Sequence, residues 1–351
     1  MLTVKGYAAP AAKQKLVPFS FTRRAPGKND VTIDILFCGI CHSDIHKVRN
    51  EWGEGVFPMV PGHEIVGIVS AVGTKVERFK VGDPVGVGCF IDSCGLCENC
   101  LEDLEPYCTS GATLTYGSPT HDGRGITQGG YSTCIVVKED FVVHIPQGLA
   151  LAKAAPLLCA GITVYSPLKH WKAGLNKKIA IIGLGGLGHL GVKIAHALGA
   201  EVTILSHTLD KQEDALRLGA SYFYDTSDPH AFATLKSRFD LIINTVSAPI
   251  DWNQYLALLK RDGTMVVVGI PEEAIPVHAF SLISARRSLS GSLVGGIKET
   301  QEMLDFCSQH NITAEIEVIP IQNVNKAFER MLKSDVRYRF VIDMESLKND
   351  G

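Results

Sequence analysis

Gly183-Leu184-Gly185-Gly186-Leu187-Gly188 decides how this chain is read. It follows an apolar run at 177–182, suited to a buried strand, and it opens 187–198, where apolar residues return at helical spacing. A glycine turn carries meaning in that context. The first glycine allows the tight turn, the second lets backbone approach a pyrophosphate, and the third permits close packing of helix on strand. The alternative is a glycine-rich turn that only packs well. A second apolar run at 201–205 completes a strand-helix-strand unit and favours the dinucleotide reading.

Outward from this unit the theme repeats. Helix-like 211–218, strand-like 222–224 and 241–244, helix-like 252–259 and strand-like 264–269 alternate, which predicts an α/β fold with a Rossmann doubly wound parallel sheet. Upstream of about Pro156 the texture differs. Short alternating runs at 31–37, 66–72 and 130–138, rich in Val, Gly and Pro, predict a mainly-β domain. The tail brings a helix at 298–309 and a strand-like 339–343. No internal repeat and no low-complexity segment interrupts the pattern.

A chain of 351 residues exceeds one ordinary core and suits two domains. Hydrophobic residues at 46%, charged residues at 20% and a formal charge of −3 give no electrostatic reason to expect nucleic acid or an acidic membrane. The expected partner is a small molecule. The most apolar stretch, 179–192, is cut by five glycines, so neither a membrane span nor a signal peptide is expected, and the location expected is the cytoplasm.

The second strand of the dinucleotide unit ends Ile204-Leu205-Ser206-His207-Thr208, with Lys211 one helical turn onward. An acidic residue there would accept from both ribose hydroxyls and repel a 2′-phosphate. A hydroxyl and an ammonium suit the phosphate, so NADP(H) is expected rather than NAD. Ser206 or Thr208 acting as an ordinary helix N-cap is the competing reading, and it is compatible with phosphate binding.

Ten cysteines without a secretory signal point to thiols or metal ligands rather than disulfides. Cys94, Cys97, Cys100 and Cys108 fall within fifteen residues, at spacings that close around one tetrahedral Zn²⁺. Four thiolates leave no open position, so the role expected is structural. The competing readings are a set of unbound thiols and a nucleic-acid-binding zinc module, the latter disfavoured by the neighbouring Asp92, Glu98, Glu102, Asp103 and Glu105, which would repel phosphate. A second set, Cys41, His63, Glu64 and Cys159, is dispersed, and spacing alone does not join it.

Resemblance joins it. Cys38-Gly-Ile-Cys41-His42-Ser43-Asp44-Ile-His46, Pro61-Gly62-His63-Glu64-Ile-Val-Gly67, Val81-Gly82-Asp83-Pro-Val85-Gly86 and Leu158-Cys159-Ala160-Gly161-Ile-Thr163-Val164-Tyr165 resemble the signatures of medium-chain zinc alcohol dehydrogenases. The chain is similar in particular to the cinnamyl alcohol dehydrogenase group and its bacterial aldehyde reductases. The similarity runs on through the glycine turn, Asn244-Thr245-Val246, Ser290-Gly-Ser292, Gly295-Gly296 and Arg337-Tyr338-Arg339-Phe340.

The resemblance implies a GroES-like catalytic domain at 1–157 and 295–351, carrying both zinc sites, and a Rossmann domain at 158–294. It implies two zinc ions per chain. Cys41, His63 and Cys159 would hold the catalytic one, with Glu64 as a switchable ligand, and the metal would polarise a carbonyl toward hydride from the nicotinamide. Ser43 and His46 would relay the proton to solvent. The competing readings are a turn hydroxyl for Ser43 and an exposed helix histidine for His46.

The same alignment sets Thr163, Gly183, Gly185, Gly186, Leu187, Gly188, Ser206, His207, Lys211, Thr245, Val246, Gly269 and Ser292 against the cofactor. Thr163 as a packing residue is the alternative there. Trp52 and Cys89 would line the substrate pocket, the alternative for Trp52 being a covering residue. Cys38, Cys134 and Cys307 read as buried structural thiols. Residues 111–115 lack the tryptophan of plant lignin enzymes, which points away from cinnamaldehyde, and His207 stands where a hydroxyl residue is common.

The activity so implied is hydride transfer between NADP(H) and a primary alcohol/aldehyde pair, aromatic aldehydes included. An NAD-dependent polyol or formaldehyde dehydrogenase is the rival enzyme, and a catalytically silent structural or binding homologue the rival outside enzymes. A homodimer is implied, with 288–295 as an edge strand pairing across a two-fold axis.

Overall fold

The computed structural model describes residues 1–123 and 125–349. Two compact units share the chain, Met1–Cys159 with Gly295–Gly351, and Ala160–Val294. The crossing lies two residues past the expected one, so Leu158 and Cys159 stay with the first unit. The physical reason is packing: the 3₁₀ turn Ala155–Leu158 is buried against β3 (Asp30–Gly39), β4 (Ile65–Val72) and β5 (Pro84–Val87).

The first unit begins with an antiparallel ribbon of β1 (Leu2–Ala8) and β2 (Val17–Arg23). Its main sheet is built on β3, whose register shifts between Thr32 and Ile33 and between Ile35 and Phe37. Such bulges bend a strand. β4 and β5 follow by antiparallel pairing, and a small hairpin of β6 (Phe90–Asp92) and β7 (Thr113–Leu114) flanks the cysteine-rich loop. β8 (Cys134–Lys138) pairs with β3 and β9 (Val143–His144) with β5. Ile33, Ile35, Ile65, Val66, Val85, Val87 and Ile135 form the buried interior.

The second unit is the predicted parallel sheet. β10 (Lys178–Ile182), β11 (Glu201–Ser206), β12 (Tyr222–Asp225), β13 (Phe239–Asn244), β14 (Leu259–Val267) and β15 (Ser288–Gly291) lie in the order β12-β11-β10-β13-β14-β15. The strand order reverses at β10 and β13, the position where doubly wound sheets take ligands. The helix after the glycine turn runs Gly188–Ala197, and the next starts at Gln212 with Lys211 at its N-cap. Ser206 ends β11 and neither it nor Thr208 caps that helix, so the N-cap reading is corrected. The edge strand is shorter than expected, four residues rather than eight.

The chain then returns to the first unit through the helix Ile297–Gln309, β16 (Ile316–Pro320) and β17 (Arg339–Asp343). β17 pairs with both β16 and β3. That pairing carries Arg339 to the start of the strand lying beside Cys38 and Gly39. Among the described residues no single helix is long and apolar enough to cross a membrane.

Candidate metal and dinucleotide sites

Cys41 caps the helix His42–Val48 at the end of β3, His63 and Glu64 precede β4, and Cys159 follows the buried turn Ala155–Leu158. Three separate pieces of chain therefore converge, and all four ligand atoms lie within 4.8 Å of one another in a fully buried group. Cys41 Sγ is 3.9 Å from Cys159 Sγ, and His63 Nε2 is 3.3 Å from Cys159 Sγ. A tetrahedral zinc with Zn–S near 2.3 Å sets its sulfurs about 3.8 Å apart, so the thiol spacing fits the ion. The pairing with Cys41 pushes the Cys159 thiol well up, while the same contact, against burial and with His63, holds Cys41 well down.

Asp44 organises this group and had no role in the sequence reading. Fully buried, its carboxylate accepts from the backbone N–H of Cys41 at 2.9 Å and of Gly62 at 3.1 Å, and from the Tyr131 hydroxyl at 3.1 Å. It also faces His63 Nδ1 at 3.2 Å. Burial opposes charge on His63, but Asp44 together with the thiols of Cys89 and Cys41 outweighs it and raises the imidazole well above its ordinary range. A proton held on Nδ1 leaves the Nε2 lone pair for a metal. The sequence signal was there: Asp44 is the N3 acid of a capping box closed with Cys41.

Glu64 pairs with Arg339 through Oε1, both fully buried, while its Oε2 has no hydrogen-bond partner. An unpartnered buried carboxylate oxygen beside two thiols and an imidazole fits a cation. Burial pushes the Glu64 carboxyl up to about 7 despite the opposing Arg339. Gly39 makes the approach possible, since a Cβ there would meet Oε2 at 1.9 Å. Arg339 was quoted in a motif but given no task, because its partner is 275 residues away.

The remaining catalytic candidates lie on or near the same helix. Ser43 Oγ is 3.4 Å from Cys41 Sγ. His46 Nδ1 is 2.5 Å from Glu51 Oε2, and its ring stacks on Trp52 at 4.8 Å. Trp52 is 41% exposed. Glu51, overlooked in the sequence, is thus the partner of His46. Cys89 is half-buried, 3.9 Å from the Leu158 carbonyl, and the influence of Cys159 holds its thiol below its usual range against burial. Cys38 and Cys307 are buried, whereas Cys134 is only half-buried, a correction: it sits on β8 at the Asp34 end of the pairing with β3.

Cys94, Cys97, Cys100 and Cys108 gather their sulfurs within 4.8 Å. Cys97 and Cys100 are 3.5 Å apart, and Cys94 and Cys100 3.9 Å, again the spacing of a zinc tetrahedron. Backbone N–H groups of Leu96 and Cys97 point at Cys94 Sγ, and that of Cys94 at Cys108 Sγ. The N–H groups of Thr109 and Cys100 hold the Cys97 thiol down at about 5. Two of the neighbouring acids tie the loop to the returning helix: Glu105 accepts from the Ile297 N–H at 3.1 Å and Asp103 pairs with Lys298 at 2.9 Å.

In the second unit Gly183 has φ of +88° and a Cβ at Gly188 would meet the Gly183 carbonyl at 2.1 Å, whereas a Cβ at Gly185 would meet nothing within 4 Å. The turn is closed on its helix and open at its middle, a cradle for a pyrophosphate. Leu187 is the N-cap of the helix. Thr245 donates to the Ile182 carbonyl at 2.7 Å, and Gly269 lies so close to Val246 that a Cβ would strike its carbonyl at 2.3 Å. Lys211 Nζ donates to the Leu184 carbonyl at 3.0 Å, so it stands at the turn, while Ser206 at the end of β11 is half-exposed and His207 exposed. Ser292 N–H donates to Val267. Thr163 is buried in the helix Ala160–His170, which packs on the helix Gly188–Ala197.

Residues 27–147 match the alcohol dehydrogenase GroES-like domain and residues 186–309 the zinc-binding dehydrogenase family. NADP-dependent alcohol dehydrogenase C of Mycobacterium bovis is 58% identical over 347 residues, covering 99% of this chain and 100% of that protein. Aldehyde reductase YahK of Escherichia coli is 53% identical, with 99% of each chain covered. A cinnamyl alcohol dehydrogenase structure from Sorghum bicolor superposes with a TM-score of 0.95 at 47% identity over 98% of each chain. Two thiol-rich groups, a dinucleotide turn and full-length similarity agree: the chain belongs to the zinc-dependent medium-chain dehydrogenase/reductase superfamily, in its cinnamyl alcohol dehydrogenase branch.

Proposed function

We propose that the protein transfers hydride between NADP(H) and a primary alcohol/aldehyde pair, acting as a broad-range aldehyde reductase that includes aromatic aldehydes. The observation that carries this is the buried Cys41, His63, Glu64 and Cys159 group with one carboxylate oxygen unpartnered. Cys41, His63 and Cys159 hold the catalytic zinc, and Asp44 keeps His63 in the tautomer that offers Nε2. Glu64 is retained near the ion by Arg339 and acts as the switchable ligand. When bound, zinc supplies Lewis acidity toward a carbonyl oxygen and NADPH supplies the hydride.

The protein's own proton path starts at Ser43 Oγ, beside Cys41, and ends at His46, whose Nδ1 is held by Glu51 so that Nε2 exchanges with solvent. Cys89 and Trp52 line the aldehyde pocket. Cys94, Cys97, Cys100 and Cys108 hold the second zinc for structure alone. Ser206, His207 and Lys211 receive the 2′-phosphate. An aldehyde panel assayed with NADPH and NADH tests the reading: higher efficiency with NADPH is expected, and equal rates or NADH ahead would sink the cofactor assignment. A Cys41→Ala variant with full aldehyde reductase activity would refute the catalytic-zinc assignment, and a wild type inactive across the whole panel would leave the silent homologue.

The assembly we propose is a homodimer. Among the described residues β15 pairs on one side only, with β14, and Phe280 and Ile283 before it in the chain and Leu293 after it are exposed. Sedimentation as a monomer at working concentration would refute it. Ten free thiols suit a reducing cytoplasm, which cell fractionation tests.

A further inference from the structure

His189 is the second residue of the helix Gly188–Ala197 and is fully buried, yet none of the roles above uses it. Two of its nitrogens converge on one atom. Its backbone N–H and its ring Nδ1 each lie 3.1 Å from the Gly185 carbonyl oxygen. Facing a carbonyl, Nδ1 must carry the proton to make this contact. The Gly185 carbonyl is thereby held by two donors where a helical turn alone supplies one.

The peptide between Gly185 and Gly186 is trans, so its plane aims the Gly186 N–H opposite to the Gly185 carbonyl, out of the N-terminal end of the helix. Among the described residues the Gly186 N–H makes no internal hydrogen bond, and beside it Gly185 borders open space. A second donor on the carbonyl also polarises the peptide and strengthens its N–H as a donor.

We propose that His189 is a positioning residue for the dinucleotide: by donating from Nδ1 to the Gly185 carbonyl it fixes the peptide whose Gly186 N–H donates to the cofactor pyrophosphate. The inference rests on the dinucleotide reading given above. His189→Leu removes the donor, and His189→Asn restores one close to the Nδ1 position. Binding of NADPH, followed by its fluorescence, is compared with binding of adenosine 2′-phosphate, which lacks the pyrophosphate.

In His189→Leu the NADPH Kd rises about tenfold, as expected for a weakened bond to a charged group, while adenosine 2′-phosphate binds as in the wild type. His189→Asn recovers NADPH affinity to within about twofold, with kcat changed less than KM. Unchanged NADPH binding in His189→Leu overturns the proposal, as does equal weakening of both ligands or a failure of Asn to rescue. Should His189→Leu not fold, long-range ¹⁵N spectra of the wild type decide. A protonated Nδ1 with a Gly186 amide that moves on adding inorganic pyrophosphate supports the role; an unprotonated Nδ1 or an unmoved amide overturns it. A wild type that prefers NADH refutes the NADP assignment instead, because both dinucleotides carry the pyrophosphate.

Discussion

At the scale of single residues the metal groups are the most exposed to test. Cys159→Ser removes one soft ligand from the buried group, so metal analysis of the purified protein should fall from two zinc ions per chain to about one, with aldehyde reduction down at least about 100-fold. Retention of both ions would overturn the assignment of Cys159. Asp44→Asn leaves all four ligands in place but gives His63 Nδ1 a neutral partner and loosens the amides of Cys41 and Gly62. Outer-shell changes of this kind weaken a metal site by about 10–100-fold. Chelator titration should then release one zinc early while the Cys94–Cys108 zinc remains, and identical release curves for variant and wild type would contradict this.

At the scale of elements, two short segments depend on side chains more than on regular structure. The loop between β6 and β7 contains only the four-residue helix Glu98–Leu101 and a 3₁₀ turn, so its shape is held by the four thiols and by the contacts of Asp103 and Glu105 with the returning helix. Cys97→Ser should lower Tm by roughly 5–10 °C with loss of one zinc. An unchanged melting curve would show that the lobe holds itself together.

The entry to β3 is set by Asp30, whose carboxylate pairs with Arg24 and accepts from the Gly27 N–H. Burial pushes this carboxyl up, but Arg24 and Gly27 outweigh it and leave it below its usual value of 3.8. A depressed carboxyl stabilises the fold above its unfolded value and loses that contribution as pH falls through the folded one. Asp30→Asn should therefore cost about 1 kcal/mol at pH 7, a modest figure because Arg24 is half exposed. The difference from wild type should close as pH drops below about 4 in urea titrations. A gap that persists at pH 2 would assign the cost to packing.

For the whole molecule, the alternation of strands and helices from residue 177 onward made the parallel sheet legible, since period and glycine turn are local signals. The metal-binding loop at 94–108 was legible for the same reason, with all four ligands inside fifteen residues. Gly183, Gly185 and Gly188 likewise announced the dinucleotide turn through their spacing along one strand-turn-helix unit. What stayed hidden were the partners around the buried metal group, which lie far away along the chain. Arg339 meets Glu64 and Glu105 meets the helix at Ile297 only because β17 returns to pair with β3 and the tail folds back, while Tyr131 reaches Asp44 because its backbone N–H bonds to the Pro61 carbonyl. Short-range pattern determined which elements form and where two of the sites lie. Spacing could not join Cys41, His63, Glu64 and Cys159, which only the family resemblance implied, and tertiary structure decided that they share one buried point with Asp44 and Arg339 around it, because burial and charge pairing act through space.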